Sequence, residues 1–134
     1  MILLAVAVGG VLGALARYAV ALLVTHSPTG VAWSTILVNV TGCLLIGLLL
    51  GWHDRAGRHR YLRPFLAVGV LGGYTTFSTY AMDAQILLAD GRPIAAAGYL
   101  IGTLLAALGA VWVGLRVTGG GRPGVADSGA GEPR

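Results

Sequence analysis

Lysine is absent from this chain of 134 residues, acids number only five, and 10% of the residues are charged. So little charge cannot cover a soluble domain of this size, whose interior is too small to hide a composition 56% hydrophobic. The mean hydropathy of +0.80 points the same way, so the chain is expected to be one membrane domain. The single cysteine, Cys43, excludes a disulfide within the chain, and inside an apolar segment it reads as a small buried hydrophobe. His26, His53 and His59 fall in loops without metal-ligand spacing. No hydroxyl or thiol has a general base near it in sequence, and neither a phosphate loop nor a metal motif occurs, so no enzyme is expected. Nine arginines give a net charge of +4, but without the aromatic interleaving of a nucleic-acid surface. In a membrane protein such an excess marks cytoplasmic loops.

What the chain has is long apolar runs. Four spans are predicted: about Ile2 to Val24, Ala32 to Trp52, Tyr61 to Leu88, and Pro93 to Val117. Each reaches the roughly 20 residues that cross about 30 Å of hydrocarbon. Trp33 and Trp52 bracket the second span, as an aromatic belt would. The short links, 26–31, 53–60 and 89–92, favour antiparallel neighbours. Residues 1–118 are therefore read as the membrane domain. Residues 119–134, rich in Gly, Pro and Ser, read as a disordered tail. Ala14-Leu15-Ala16 imitates a signal-peptidase site, but no basic segment precedes it and the apolar run continues past Arg17, so cleavage is not expected.

The third span is the unusual one. Residues 61–88 as one straight helix would be about 42 Å long, well over the hydrocarbon thickness. Its middle reads Gly72-Gly73-Tyr74-Thr75-Thr76-Phe77-Ser78-Thr79-Tyr80, polar and aromatic where a lipid-facing helix would carry Leu and Val. Polar groups at membrane depth normally face a pore or a bundle interior. A break near Gly72-Gly73 would leave unpaired carbonyls at one helix end and unpaired amides at the other, both usable as ion ligands. The simpler alternative is a kinked helix whose hydroxyls satisfy the freed backbone; the clustering of four hydroxyls favours the functional reading.

Other polar residues leave two readings open. Phe77 and Tyr80, three apart, share a helix face; their ring edges could meet a small dehydrated anion, or the pair could simply pack. Asn39, with Thr35 one turn before it, offers amide donors to an anion or serves as interhelical glue. On the last span Tyr99 and Thr103 form a polar stripe beside Gly98, Gly102, Ala106, Ala110 and Gly114, a small-residue ridge suited to packing. Arg17 either snorkels to the interface or places positive charge in an anion vestibule. Asp83, one turn past Tyr80, pairs with Arg17 or sits in a water-filled mouth.

Three motifs in order, Gly9-Gly10-Val11-Leu12-Gly13-Ala14-Leu15-Ala16-Arg17-Tyr18, Val38-Asn39-Val40-Thr41-Gly42 and Gly72 to Thr79, resemble the CrcB/Fluc fluoride channels. The resemblance covers all but the tail. It implies an all-α membrane protein of four transmembrane helices, the third broken between Gly72 and Thr79, working as an antiparallel, dual-topology dimer with fluoride pores at the interface. It also implies passive fluoride export through the cell membrane. By motif, Asn39 resembles the pore amide and Phe77 the first ring of the fluoride-contacting pair. Ser78, Thr79 and Tyr80 continue that motif, and Tyr99 and Thr103 resemble the polar track. Gly72 and Thr75 resemble the residues whose backbone carbonyls hold a structural sodium ion. Two positions depart: Tyr80 stands where the family usually has Phe, and Ala107 where the track commonly continues.

The rival reading, a small four-span multidrug exporter, needs an embedded carboxylate, and Asp83 is the sole candidate. Topology follows from arginine placement. Arg55, Arg58, Arg60, Arg63, Arg116, Arg122 and Arg134 fall on one side, against Arg92 and at most Arg17 on the other. That bias predicts a fixed orientation with both termini cytoplasmic, and hence a paralogous partner inserted the opposite way rather than a homodimer.

Overall fold

The computed structural model describes residues 1–24, 30–53 and 61–119. Of the expected tail only Gly119 falls within them; 120–134 lie outside the described residues, as do His26, His59, Arg55, Arg58 and Arg60. The described residues are all-helical, without strands.

Three helices are long and apolar enough to cross a membrane: α1 (Ile2–Leu23), α2 (Trp33–His53) and α5 (Pro93–Val117). Each is a run without internal proline, and in hydrocarbon only a helix satisfies every backbone group within its own segment. Pro93 opens α5, where its missing N–H loses nothing. Trp33 and Trp52 lie at the two ends of α2, each more than half exposed, and the Arg116 guanidinium lies 4.6 Å over the Trp112 ring near the end of α5. Both arrangements suit the water–lipid boundary.

The third apolar stretch is not one helix. It begins as a π-helical segment, Pro64–Val70, in which the Leu71 N–H reaches back five residues to the Leu66 carbonyl. It continues as the single turn α3 (Leu71–Tyr74), opens at Thr75 with φ −72° and ψ 156°, and resumes as α4 (Ser78–Ala89). The opening thus falls two residues beyond the glycine pair. Gly72 and Gly73 are helical, and Gly73 serves a different end: a Cβ there would meet the Gly10 backbone of α1.

Packing within the chain joins two helix pairs by glycine contacts. Against α1, a Cβ on Gly9 would lie 2.6 Å from the Phe65 carbonyl, and one on Gly69 2.8 Å from the Val6 carbonyl. Between α2 and α5, Gly47 faces Gly114, where a Cβ would come within 2.6 Å of the Leu44 carbonyl. Small residues let backbones approach this closely where lipid supplies no hydrophobic drive between helices. Of the expected ridge on α5, Gly114 packs inside the chain, whereas Gly98 and Gly102 face open space. The α4 helix docks on α5 through Ala84, Leu87, Ala96 and Tyr99.

Candidate functional site

The helix opening is held from α2 by one side chain. The Asn39 Nδ2 donates to the Thr76 carbonyl at 2.9 Å, and the Thr76 N–H donates to Asn39 Oδ1, also at 2.9 Å. The amide thus replaces the helical partners that Thr76 loses, and one N–H of Asn39 is left for another acceptor. Glue and donor are both open to the same residue. Gly42, one helical turn on, makes room for the Thr75 methyl.

Two of the motif's threonine hydroxyls, those of Thr75 and Thr76, are spent on the backbone. Thr75 Oγ1 donates to the Leu71 carbonyl at 2.9 Å. Thr76 Oγ1 accepts the Thr79 N–H at 3.1 Å and donates to Thr79 Oγ1 at 3.0 Å, capping the start of α4. Ser78 and Thr79 remain on the chain's surface. Because the Thr76 N–H turns to Asn39 and the Thr79 N–H to Thr76 Oγ1, neither closes a helical turn on the Gly72 or Thr75 carbonyl. Two hard oxygens are freed within one turn.

Three rings run in a row from the opening. Phe77, 80% exposed, has its centroid 5.8 Å from that of Tyr80, tilted by 49°. Tyr80 lies 5.5 Å from Tyr99, tilted by 33°. The Tyr80 hydroxyl donates to the Leu100 carbonyl of α5 at 2.6 Å, so the extra hydroxyl braces two helices. Asp83 does not pair with Arg17. Its Oδ2 accepts from Thr35 Oγ1 at 2.7 Å and from the Tyr99 hydroxyl at 3.0 Å. Thr35 is the site residue whose role the sequence alone leaves unassigned; its spacing of four from Asn39 is the mark that both face the third segment.

Two cavities flank the opening. One, of about 320 Å³, is lined by Asn39, Cys43, Thr75, Thr76, Phe77, Tyr80 and Thr103 among others. The other, of about 310 Å³, is lined by Arg17, Tyr18, Thr35, Val38, Thr76 and Thr79. Thr76 borders both. Arg17 is half-buried there, and no ion pair engages it among the described residues. Thr103 is 4% exposed, and its buried Oγ1 has no hydrogen-bond partner. The arrangement brings Asn39, Phe77, Tyr80 and Thr103 to one cavity and puts Arg17 with Thr79 on the other; Tyr99 reaches the first through Tyr80.

Long apolar helices with a hydroxyl-rich opening between them define a multi-pass helical membrane protein. The chain belongs to the CrcB family: residues 4–115 match the family described as "CrcB-like protein, Camphor Resistance (CrcB)". It is 51% identical over 114 residues to a protein of Nocardia farcinica named fluoride-specific ion channel FluC 2, covering 84% of this chain and 81% of the relative. It is 49% identical to fluoride-specific ion channel FluC 1 of Streptomyces coelicolor, over 81% of this chain and 71% of that one. Identity to fluoride-specific ion channel FluC of Paracoccus denitrificans is 44%, over 85% and 91%.

Proposed function

We propose that this chain is a subunit of a fluoride-specific channel that lets fluoride leave the cell passively and lowers its toxicity. Membership of the family and relatives named fluoride-specific ion channels support a channel rather than an enzyme. The observation that carries the reading for this chain is the first cavity. Asn39, Phe77 and Thr103 meet beside a helix opening in an otherwise apolar domain.

The chemistry suits a small, strongly hydrated anion. Such an ion enters a narrow passage only where donors replace its water at close range. The spare Asn39 N–H, the unpartnered Thr103 hydroxyl and the electropositive edge of the Phe77 ring supply them. Ser78 and Thr79 add hydroxyls at the mouth, Tyr80 contributes its ring, and Tyr99 continues the line on α5. Arg17 in the second cavity supplies positive charge for a vestibule. The rival exporter needs a carboxylate free to exchange protons, whereas the Asp83 oxygen already accepts two hydroxyls.

Four spans, the third being the broken stretch 61–88, are the reading of residues 1–118, with 119–134 as a tail. The exposed Phe77 ring and the open Gly98 and Gly102 positions favour an antiparallel partner subunit over that face. The freed carbonyls of Gly72 and Thr75 fit a structural sodium ion, since alkali cations take hard oxygen ligands; the ion would fix the opening between two subunits. The arginine bias favours both termini in the cytoplasm and a paralogous partner in the cell membrane.

Fluoride efflux from liposomes holding the purified chain together with its oppositely inserted partner subunit tests the reading. Efflux of fluoride without chloride is expected, weakened when a large organic cation replaces sodium. Chloride passing as readily as fluoride would overturn selectivity, and indifference to sodium would remove the metal. Efflux from the chain alone would make a paralogous partner unnecessary.

A further inference from the structure

Thr41 belongs to the second sequence motif and Tyr74 to the third, and the fluoride pathway proposed above uses neither. The two meet across the chain, with Thr41 Oγ1 and the Tyr74 hydroxyl oxygen 3.0 Å apart. Thr41 already donates its proton to the Leu37 carbonyl at 2.7 Å, one turn back on α2. The Tyr74 hydroxyl therefore donates and Thr41 Oγ1 accepts. Both faces of this turn are closely seated. On the α2 side, a Cβ on Gly42 would lie 3.2 Å from the Tyr74 ring and would also meet the Thr75 methyl. On the α1 side, a Cβ on Gly13 would lie 2.7 Å from the Tyr74 backbone nitrogen.

The bond matters because of where it falls. Thr41 and Asn39, two residues apart on α2, hold the residues on either side of Thr75: Tyr74 by its hydroxyl and Thr76 by its backbone. Thr75 is where the backbone leaves the helix, at ψ 156°, while its N–H still closes on the Leu71 carbonyl at 3.0 Å. The planar peptide that carries the Thr75 carbonyl has only the dihedrals of its flanking residues to turn on. Held at both ends, it keeps one direction. Gly72 and Tyr74 share the single turn α3, so the Gly72 carbonyl is steadied by the same bond.

We infer that the Tyr74 hydroxyl, bonded to Thr41, is a positioning group for the cation site proposed at the Gly72 and Thr75 carbonyls. The inference rests on that site and adds the side chains that set its affinity. Carbonyl oxygens replace a cation's water only when they face it together. Oxygens aimed beforehand lose less freedom when a cation is bound. A Phe ring would fill the same space beside Gly42, so the hydroxyl acts on aim rather than on packing.

The test uses the full chain assembled with its oppositely inserted partner subunit, in detergent. Sodium chloride replaces N-methylglucamine chloride at constant ionic strength, and the melting temperature is read against sodium concentration, independently of conduction. The parent is expected to rise to a plateau. Tyr74→Phe is expected to need about threefold more sodium for half the rise, equivalent to one membrane hydrogen bond of about 0.6 kcal/mol. Thr41→Val should match it, the double variant should match either single one, and Thr41→Ser, which keeps the acceptor, should stay at the parent midpoint. In liposomes at saturating sodium, Tyr74→Phe is expected to pass fluoride at the parent rate. Unchanged midpoints in both single variants, even with lower melting temperatures throughout, would make the bond merely structural and overturn the inference. A double variant shifted by the product of the two single effects would overturn the pairing. A parent whose melting temperature ignores sodium would overturn the cation site and this role together. Sodium-stabilised protein with shifted midpoints in the variants, yet without fluoride efflux, would contradict the fluoride reading and leave the positioning role standing.

Discussion

The two halves of the third apolar stretch are held in opposite ways. The first half, Pro64–Tyr74, meets α1 through bare backbone: Gly69 on Gly9, Gly73 on Gly10, and Gly13 beneath Val70. The second half, Ser78–Ala89, is tied by side chains: Asp83 to Thr35 and Tyr99, and Tyr80 to Leu100. Asn39 grips the junction. Where it faces α1, the first half admits no Cβ at Gly69 or Gly73. The second half adds polar ties to its apolar contacts with α5, ties that a bilayer tolerates only when partners are supplied. Function gathers at the seam, where the chain stops using one device and begins using the other.

The sharpest way to break the contrast is Gly13→Val. Its Cβ would intrude on the Val70 carbonyl and the Tyr74 N–H, both backbone, so neither side can yield by rotamer change. Loss of folded protein is expected, beyond the about 1–3 kcal/mol of ordinary overpacking; a monodisperse variant with the parent melting temperature would show that the first half is not held by shape. Asn39→Ala comes next. It leaves the Thr76 N–H and carbonyl without their partner, at about 1–3 kcal/mol for each buried group, and should lower both the melting temperature and fluoride efflux. Unchanged efflux would take Asn39 off the pathway.

Smaller effects sharpen the second half. Asp83→Asn keeps the shape but weakens two hydrogen bonds to a carboxylate, each worth about 1.5–3 kcal/mol when charge-assisted. A lower melting temperature is expected, partly restored by combining it with Tyr99→Phe, which removes one stranded donor. Additive losses in the double variant would mean that Asp83 and Tyr99 act separately. Tyr80→Phe should be mildest, since a membrane hydrogen bond averages about 0.6 kcal/mol and the ring stays. Loss of efflux in that variant would mean the hydroxyl also serves the anion.

The long helices were legible because apolar length alone sets them, and α1, α2 and α5 fall within a residue or two of the expected spans. The interruption was legible from composition, but its place was not. A Gly-Gly pair suggests a break, whereas here it marks close approach to Gly10, and the opening follows where Asn39 competes for Thr76. That competition depends on a residue far away in the chain, so no local pattern carries it. The same holds for Asp83. A pairing with Arg17 or a place in a water-filled mouth was expected, yet two hydroxyls on α2 and α5 take the carboxylate. The π-helical turn before α3 left no sequence mark beyond Pro64 and Gly69.

The central claim is that the seam, with Phe77 at its exposed edge, is the path of the anion. Fluoride efflux from liposomes measured for Phe77→Ile against the parent tests it most directly, with the elution volume of each in detergent as a check on assembly. Phe77 packs little within the chain, so the account predicts unchanged elution and melting temperature with efflux reduced at least tenfold. Parent-level efflux from a well-assembled Phe77→Ile protein would contradict it.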